Sequence, residues 1–481
     1  LDKRTKDDDV PADLEYSELP KQVADGANWS WGKDRGVVTF WIFLLSGMPS
    51  VNYDVDIPYK LLKPYMKPDA PVLGAMAENL STSCLVAGGG PAGMMCGYLL
   101  ARAGVDVIVL EKHADFLRDF RGDTVHPSTL QVMHELGLLE EFLTRPHQEI
   151  AHVGIQIGRE RFNAADFTHL PTRCKFIAFM PQWDFLDFLA EKAKKLPNFH
   201  LMMEAEATEL LRDGMRVTGV VARTKIGECN ISATLTIGAD GRHSILRERS
   251  GLPVKDLGAP IDVLWLRLKR RPGDDDNFVL GRVEAGQVLV MLYRGDYWQC
   301  ALVIPKGGYD GLRKNGLEAF RKRVAMLAGR DDAEEIASWD DLKLLTVSVD
   351  RLTRWHLPGL LFIGDAAHAM SPIGGVGINL AIQDSVAAAN ILAGPLRREC
   401  VTDRDLARVE KRRRFPTWAI QAFQVAVQNR VLDPLLASGE TPAVPGIVKL
   451  AQHWTFLQRI PARLIGMGVR PEHVKTPAFT S

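Results

Sequence analysis

Apolar residues in this chain repeat with two periods, and the places where the period changes outline its elements. Residues 83–87 form a short apolar run ending at Gly88, and from Pro91 onward Met94, Met95, Tyr98, Leu99 and Leu100 recur at helical spacing. That pattern predicts strand, turn and helix. Gly104 is placed to stop the helix, 105–110 is a second strand, and Glu111 stands at its end. Strand and helix alternate to about residue 143, as in a parallel sheet covered by helices. A helix over 184–195 follows, then strand-like runs at 199–203, 207–211 and 217–222, the last two joined across Asp213-Gly214, a hairpin signal. The run 231–237 leads into Gly238-Ala239-Asp240-Gly241.

Between 258 and 350 the pattern changes to β-rich runs at 261–268, 278–283, 288–293, 297–304 and 342–349. With 153–157 they predict an antiparallel sheet forming one wall of a substrate cavity. A buried-strand run at 360–363 precedes a helix opened by Gly374, Gly375 and Gly377 and carried through Leu380, Ile382, Val386 and Ile391. From Asp403 the chain is helical, with interruptions expected at Pro416, Pro434 and the pair Pro442/Pro445. Residues 1–75 carry acidic and proline-rich patches and little periodicity; they are expected to be a disordered tail or an extension outside the native protein, with Met76 as the start.

Composition narrows the function. Lys+Arg and Asp+Glu are equal at 59 each, so no overall field favours nucleic acid or an anionic membrane. The basic run Lys411-Arg412-Arg413-Arg414 is expected to be a solvated helix face. Six cysteines without close pairing or ligand spacing point to reduced core thiols of a cytoplasmic protein, with no metal site and no dithiol relay. No apolar run reaches the roughly 18 residues of a membrane span; the longest lies at 37–45. The segment 456–469, which mixes Ile460, Leu464 and Ile465 with Arg459 and Arg463, is expected to pack on the body of the protein, peripheral membrane contact being the alternative.

The chemistry lies in the glycines. Gly88 permits a tight turn, Gly90 lets backbone approach a pyrophosphate, and Gly93 lets the helix pack closely on the strand. Phosphates then sit on a helix N-terminus. Glu111 is placed for ribose hydroxyls and would repel a 2′-phosphate, which favours FAD or NAD over NADP at this site. Asp365, after the 360–363 strand, is positioned near the same sheet edge for a ribityl hydroxyl, and the helix behind Gly377 points free N–H groups at a ring in front of it.

Three ordered motifs, Gly88 to Gly93, Asp240-Gly241, and Gly364-Asp365-Ala366-Ala367-His368 followed by Pro372, make residues 82–395 resemble the FAD-dependent aromatic hydroxylases similar to p-hydroxybenzoate hydroxylase. The resemblance implies an α/β fold. A Rossmann-like FAD-binding domain is expected from 76–257 and 351–400, with a strand near 151–166 lent to an inserted antiparallel-sheet substrate domain at 258–350, and a helical C-terminal region at 401–481. It further implies that Glu111 and Lys112 serve the adenosine side, Arg121 and Gln182 the diphosphate or ribityl region, and Asp240 the pyrophosphate region and nicotinamide access. Asp365 would serve the ribityl chain, and Gly375, Val376, Gly377, Ile378 and Asn379 the isoalloxazine edge. Pro372 would lie beside the substrate. The family often has Gln where Val376 stands.

The activity implied is hydroxylation of an aromatic or polyketide-like molecule with O2 and NADH or NADPH through a flavin C4a-hydroperoxide, by a monomer or homodimer. Tyr293 and Trp298 are candidates to line the pocket, with core packing as the competing explanation; His368 is open between packing and site, and His243 is a candidate contact for NAD(P)H. Alternatives on the same scaffold are a flavin-dependent reductase, epoxidase or halogenase, the last lacking its WxWxIP motif here. A prenyl-binding escort protein would share only the first motif.

Overall fold

Runs of valine, isoleucine and leucine bounded by glycine become strands buried on both faces, and these make the centre of the fold. The computed structural model describes residues 28–31, 38–41, 53–55, 79–117, 124–272, 274, 279–441 and 454–479. Two compact units divide the chain, Leu1–Met76 and Ala77–Ser481. In the first, Asn28–Trp31, Val38–Trp41 and Tyr53–Val55 pair as an antiparallel meander; the rest of the segment expected to be disordered or non-native lies outside the described residues.

In the second unit, Phe199–Met203, Val107–Glu111, Asn79–Ala87, Gly227–Gly238 and Leu360–Phe362 are successive parallel neighbours. An antiparallel hairpin, Glu206–Asp213 with Arg216–Thr224, pairs with the first half of Gly227–Gly238 and makes the sheet mixed. The parallel register puts Ala87, Glu111, Gly238 and Phe362 at one edge, the carboxyl ends where α/β sheets bind ligands. Helices α1 (Pro91–Arg102), α2 (Pro127–Glu135), α3 (Gln182–Ala193) and α4 (Ile245–Ser250) accompany this sheet.

The second sheet has seven strands in the order Lys343–Leu345, Ile261–Lys269, Tyr297–Pro305, Gln287–Tyr293, Val279–Glu284, His152–Ile157, Glu160–Asp166. It is antiparallel as expected except at one place: Val279–Glu284 and His152–Ile157 run parallel, because the chain reaches them from separate excursions of the first domain. Only Lys343–Leu345 of the 342–349 run joins the ladder; Val347 and Val349 pack into the core beside it. Alternation sends Leu264, Leu266, Leu268, Met291, Trp298 and Cys300 to one face, covered by α5 (Leu317–Ala328).

The long apolar helix α6 (Gly377–Arg397) is long and apolar enough to cross a membrane, yet 78% of its apolar window is buried in the protein. It is a core helix. Helix α7 (Asp403–Val427) corrects the expected break at Pro416, which lies inside it. A proline there forgoes one hydrogen bond, and the buried stripe around it, including Thr417, Ile420 and Gln424, holds the helix through. Helix α8 (Thr455–Gly466) packs on Glu160–Asp166 and places Ala462 and Ile465 in an apolar cluster, leaving Phe456 and Ile460 exposed.

Candidate functional site

The turn after Asn79–Ala87 is fixed by overlaps that only glycine avoids. Gly88 has φ +108°, and a Cβ there would collide with the Ala239 carbonyl; a Cβ at Gly93 would collide with the Gly88 carbonyl. A Cβ on Gly89 would come 2.8 Å from Glu111 Cβ, and the Gly89 N–H donates to Glu111 Oε2 at 3.1 Å. Gly90 differs, since a Cβ there meets nothing within 4 Å. Open space therefore faces the N-terminus of α1, which has no side-chain cap and no acid in its first turn. Its free N–H groups are available to an anion.

Asp240 turns its carboxylate back into α4: Oδ1 accepts from Ser244 Oγ at 2.5 Å and Oδ2 from the Leu246 N–H at 3.3 Å. Burial pushes this carboxyl above its usual range, with the Ser244 and Leu246 bonds opposing. What Asp240 gives the edge is a backbone pinned against Gly88, a positioning role that the Asp-Gly motif alone did not disclose. Arg242, unrecognised in the sequence, donates to Asp365 Oδ2 at 3.2 Å, so the carboxylate expected to serve the ribityl chain already faces a cation. Glu111 also accepts from His113 at 2.6–3.0 Å, whereas Lys112 is exposed and faces Glu206 at 3.9 Å. Arg121 lies outside the described residues. Gln182 opens α3, directly after Ile177–Phe179.

The second glycine loop is held from a distance. Gly374 and Gly375 both have left-handed φ, and a Cβ on Gly375 would come 2.6 Å from Thr124 Oγ1. Three buried glutamines, two in α7 and Gln428 just past its end, hold the segment before it. Gln421 Nε2 donates to the Asp350 and Ala369 carbonyls, Gln424 Nε2 to the Ser371 and Ile373 carbonyls (2.9 Å each), and Gln428 Nε2 to Ser371 Oγ. Their spacing along one helix face was the available signal; glutamines in a helix ordinarily mark solvent. Val376 points its side chain into a cluster with Met370, Leu380 and Ile420, and Asn379 Oδ1 accepts from Ser128 and Thr129 of α2. Of Val376, then, only the backbone is left to face a ring, and of the Asn379 amide the oxygen is already engaged. Gly377 has nothing within 4 Å of a built Cβ, and α6 starts without side-chain cap or acid.

Behind this loop lies a charged network with no access to water. His368 Nε2 and Asp384 Oδ2 are 2.6 Å apart, Arg413 Nε donates to Asp384 Oδ1 at 2.9 Å, and Glu472 Oε1 faces Arg413 at 3.5 Å. The Gly364 N–H also donates to Asp384. Burial alone would raise the Asp384 carboxyl, but His368 and Arg413 outweigh it and hold the group below its usual range. His368 is thereby a packing residue, its ring 5.0 Å from that of Trp355. The basic run is a solvated face at Lys411, Arg412 and Arg414, with one exception: Arg413 is fully buried, and Arg412 reaches back to bond Glu472.

The wall opposite the loop is the second face of the seven-stranded sheet. Ile373 packs with Ile261, Val288 and Val303, and Gly374 lies beside Ile465, whose cluster includes Trp265, Val290, Leu292 and Phe179. Pro372 belongs to this junction. Tyr293 does not: alternation carries it to the outer face, 5.5 Å from Trp298 and beneath Arg270. Trp265 Nε1 and Gln299 Nε2 are buried donors on the inner face without a hydrogen-bond partner among the described residues. Among the described residues no cluster of His, Cys, Asp or Glu is arranged for a metal.

Two uncapped helix N-termini facing open space at one sheet edge, with Glu111 and Asp365 beside them, fit an FAD molecule lying between Gly90 and Gly377. A family described as "FAD binding domain" matches residues 81–423. The 6-methylpretetramide 4-monooxygenase of Streptomyces rimosus is 33% identical over 375 residues, covering 76% of this chain and 87% of that protein. Rifampicin monooxygenase of Streptomyces venezuelae is 28% identical over 63% of this chain and 62% of that protein. The solved structure of OxyS anhydrotetracycline hydroxylase from Streptomyces rimosus gives a TM-score of 0.64 at 22% identity, over 81% of this chain and 77% of that one. The myxobacterial chondrochloren halogenase CndH gives 0.64 at 18%, over 83% and 94%, so the fold alone does not select the chemistry. By the family match across most of its length and by its similarity to the pretetramide enzyme, this chain belongs to the FAD-dependent monooxygenases.

Proposed function

We propose that this protein takes electrons from NADH or NADPH and transfers one atom of O2 to an aromatic, polyketide-like molecule, hydroxylating it. The observation that carries this reading is the junction between the second glycine loop and the inner sheet face, where an uncapped helix N-terminus opens beside an apolar wall. Bound FAD would supply electron acceptance from the nicotinamide and activation of O2. The chain supplies the setting. The first N–H groups of α6 favour negative charge at the ring edge facing them. Trp265, Val290, Leu292 and Phe179 keep water from that edge, which limits loss of O2-derived oxidant as peroxide.

Two buried donors in that wall, Trp265 Nε1 and Gln299 Nε2, have no acceptor among the described residues. Carbonyl or phenolate oxygens of a polyketide-like substrate meet that need, and the resemblance to the pretetramide enzyme supports the same class. The test is a screen of fused-ring phenolic compounds on FAD-loaded protein, following NAD(P)H oxidation, O2 uptake and product mass. A substrate is expected to accelerate NAD(P)H oxidation by about tenfold or more, a barrier change of about 1.4 kcal/mol, and to gain one oxygen atom from isotopically labelled O2. If every compound yields only hydrogen peroxide, the hydroxylase reading fails.

A further inference from the structure

Helix α7 carries a second stripe that the flavin site does not use. Glu410, Lys411, Arg414, Phe415 and Trp418 follow one another at helical spacing beside the face that carries the buried glutamines, and they form one side of a groove of about 1040 Å³. The other side comes from the antiparallel pair Val254–Asp256 and Asp350–Leu352 and the turn after it, with Lys255, Arg351 and Arg354. Five cations thus converge on one concavity. Its one carboxylate, Glu410, is already engaged by the Trp355 N–H, His356 Nδ1 and Arg414. Lys255, Arg354 and Lys411 have no acidic partner among the described residues.

The groove also has a planar element. Phe415 and Trp418 stack at 5.9 Å with 29° between their planes, and both are about half exposed. The far side of Phe415 is taken by Arg470, 5.0 Å from its ring, which leaves Trp418 as the open surface. Aromatic surface beside unpaired cations suits a ligand with a flat ring and several negative charges. Repulsion within the cluster agrees with this: burial, and then Arg414, disfavours the charge on Arg351, a strain that an anion relieves.

We infer that this groove binds a nucleotide bearing two or more phosphates, its base on Trp418 and its phosphates among Lys255, Arg354 and Lys411. Both a free adenine nucleotide and the adenosine diphosphate half of NADPH have that chemistry. The site is distinct from the Gly88–Gly93 turn, and its occupancy is read without turnover, so its failure would leave the hydroxylase reading untouched.

The experiment uses FAD-loaded protein, in which the glycine turn is already filled. N-methylanthraniloyl-ADP is titrated by fluorescence anisotropy, with ADP, NADPH and pyrophosphate as competitors. Saturable binding of one nucleotide per chain is expected, weakened by added salt. Arg354→Glu with Lys411→Glu should weaken it about tenfold or more while flavin absorbance and Tm stay unchanged, and Trp418→Ala should remove the preference for ADP over pyrophosphate. If the charge reversal unfolds the protein, Arg354→Gln with Lys411→Gln replaces it with the same expected direction. Displacement by NADPH at least as effective as by ADP assigns the groove to the reductant, and displacement by ADP alone to a free nucleotide. Absence of saturable binding, binding indifferent to both charge variants, or equal competition by ADP and pyrophosphate in the unaltered protein overturns the inference.

Discussion

The two uncapped helix N-termini at the sheet edge offer the same electrostatics to an anion but are built in opposite ways. The first is held by backbone overlap within a short stretch, with Gly93 against the Gly88 carbonyl and Gly88 against Ala239. The second is held by side chains from far along the chain: Thr124, His126 and the glutamines of α7. A turn fixed by atomic overlap has one conformation. A loop held by hydrogen bonds from separate helices can be released by changing one side chain, which suits the end of the site that must admit substrate.

The largest effect is expected in the buried network behind the second loop. Arg413→Met leaves buried Asp384 with His368 as its one remaining side-chain partner and Glu472 with Arg412, and should cost about 3–5 kcal/mol, measured by urea unfolding; a change under about 1 kcal/mol would mean that the network does not support the loop. Gly93→Ala comes next, at about 3 kcal/mol, the upper end of overpacking costs, and should yield protein without bound flavin, while Gly90→Ala keeps its fold. Flavin absorbance per chain distinguishes the two. Retention of full flavin by Gly93→Ala would break the contrast between the edges.

A smaller and more selective loss is expected from Gln424→Ala, which frees the Ser371 and Ile373 carbonyls at about 1–3 kcal/mol. Flavin should stay bound, and a larger fraction of NAD(P)H oxidation should end as peroxide; unchanged coupling would show that the loop does not need this tie.

His126 sharpens the same point through pH. Its ring stands between the Ile465 and Gly375 carbonyls at 2.9 and 3.0 Å, and burial lowers its pKa from 6.5 to about 4. The unfolded chain therefore binds a proton that the folded one refuses between these values. Stability from this residue is present above about pH 6.5 and is lost as pH falls through about 4. His126→Gln should flatten that part of the pH–stability curve; an unaltered slope would remove His126 from the account. The smallest effect is Tyr293→Phe, on the outer sheet face, where kcat/KM should change by less than about twofold.

The parallel strands, the glycine turn, Glu111 and the inserted sheet were all legible in the sequence because each depends on residues within a few positions of one another. Apolar periodicity marks strands wherever a sheet buries them, and a Gly-rich turn has few other uses between strand and helix. Less visible was which sheet face looks inward. Tyr293 and Leu292 are neighbours in a strand, and one register step sends them to opposite sides. Asp240 was found but not its direction, since an aspartate before α4 serves equally as ligand or as cap. The passage of α7 through Pro416 and the burial of Arg413 depend on partners from other elements, such as Asp384 and Glu472, that no local pattern reveals.

By itself the sequence determined the class of cofactor, the order of the glycine motifs along the chain and the two-sheet plan, because those rest on backbone conformation and local periodicity. Only the tertiary structure decided which polar residues are structural and which are left unsatisfied. Gln424, His126 and Asp384 find their partners across long loops, whereas Trp265 and Gln299 on the inner wall keep donors unpartnered among the described residues. The physical reason is burial: a polar group's role is set by whether an acceptor lies within about 3 Å once water is gone, and that is a property of the fold rather than of the neighbouring residues.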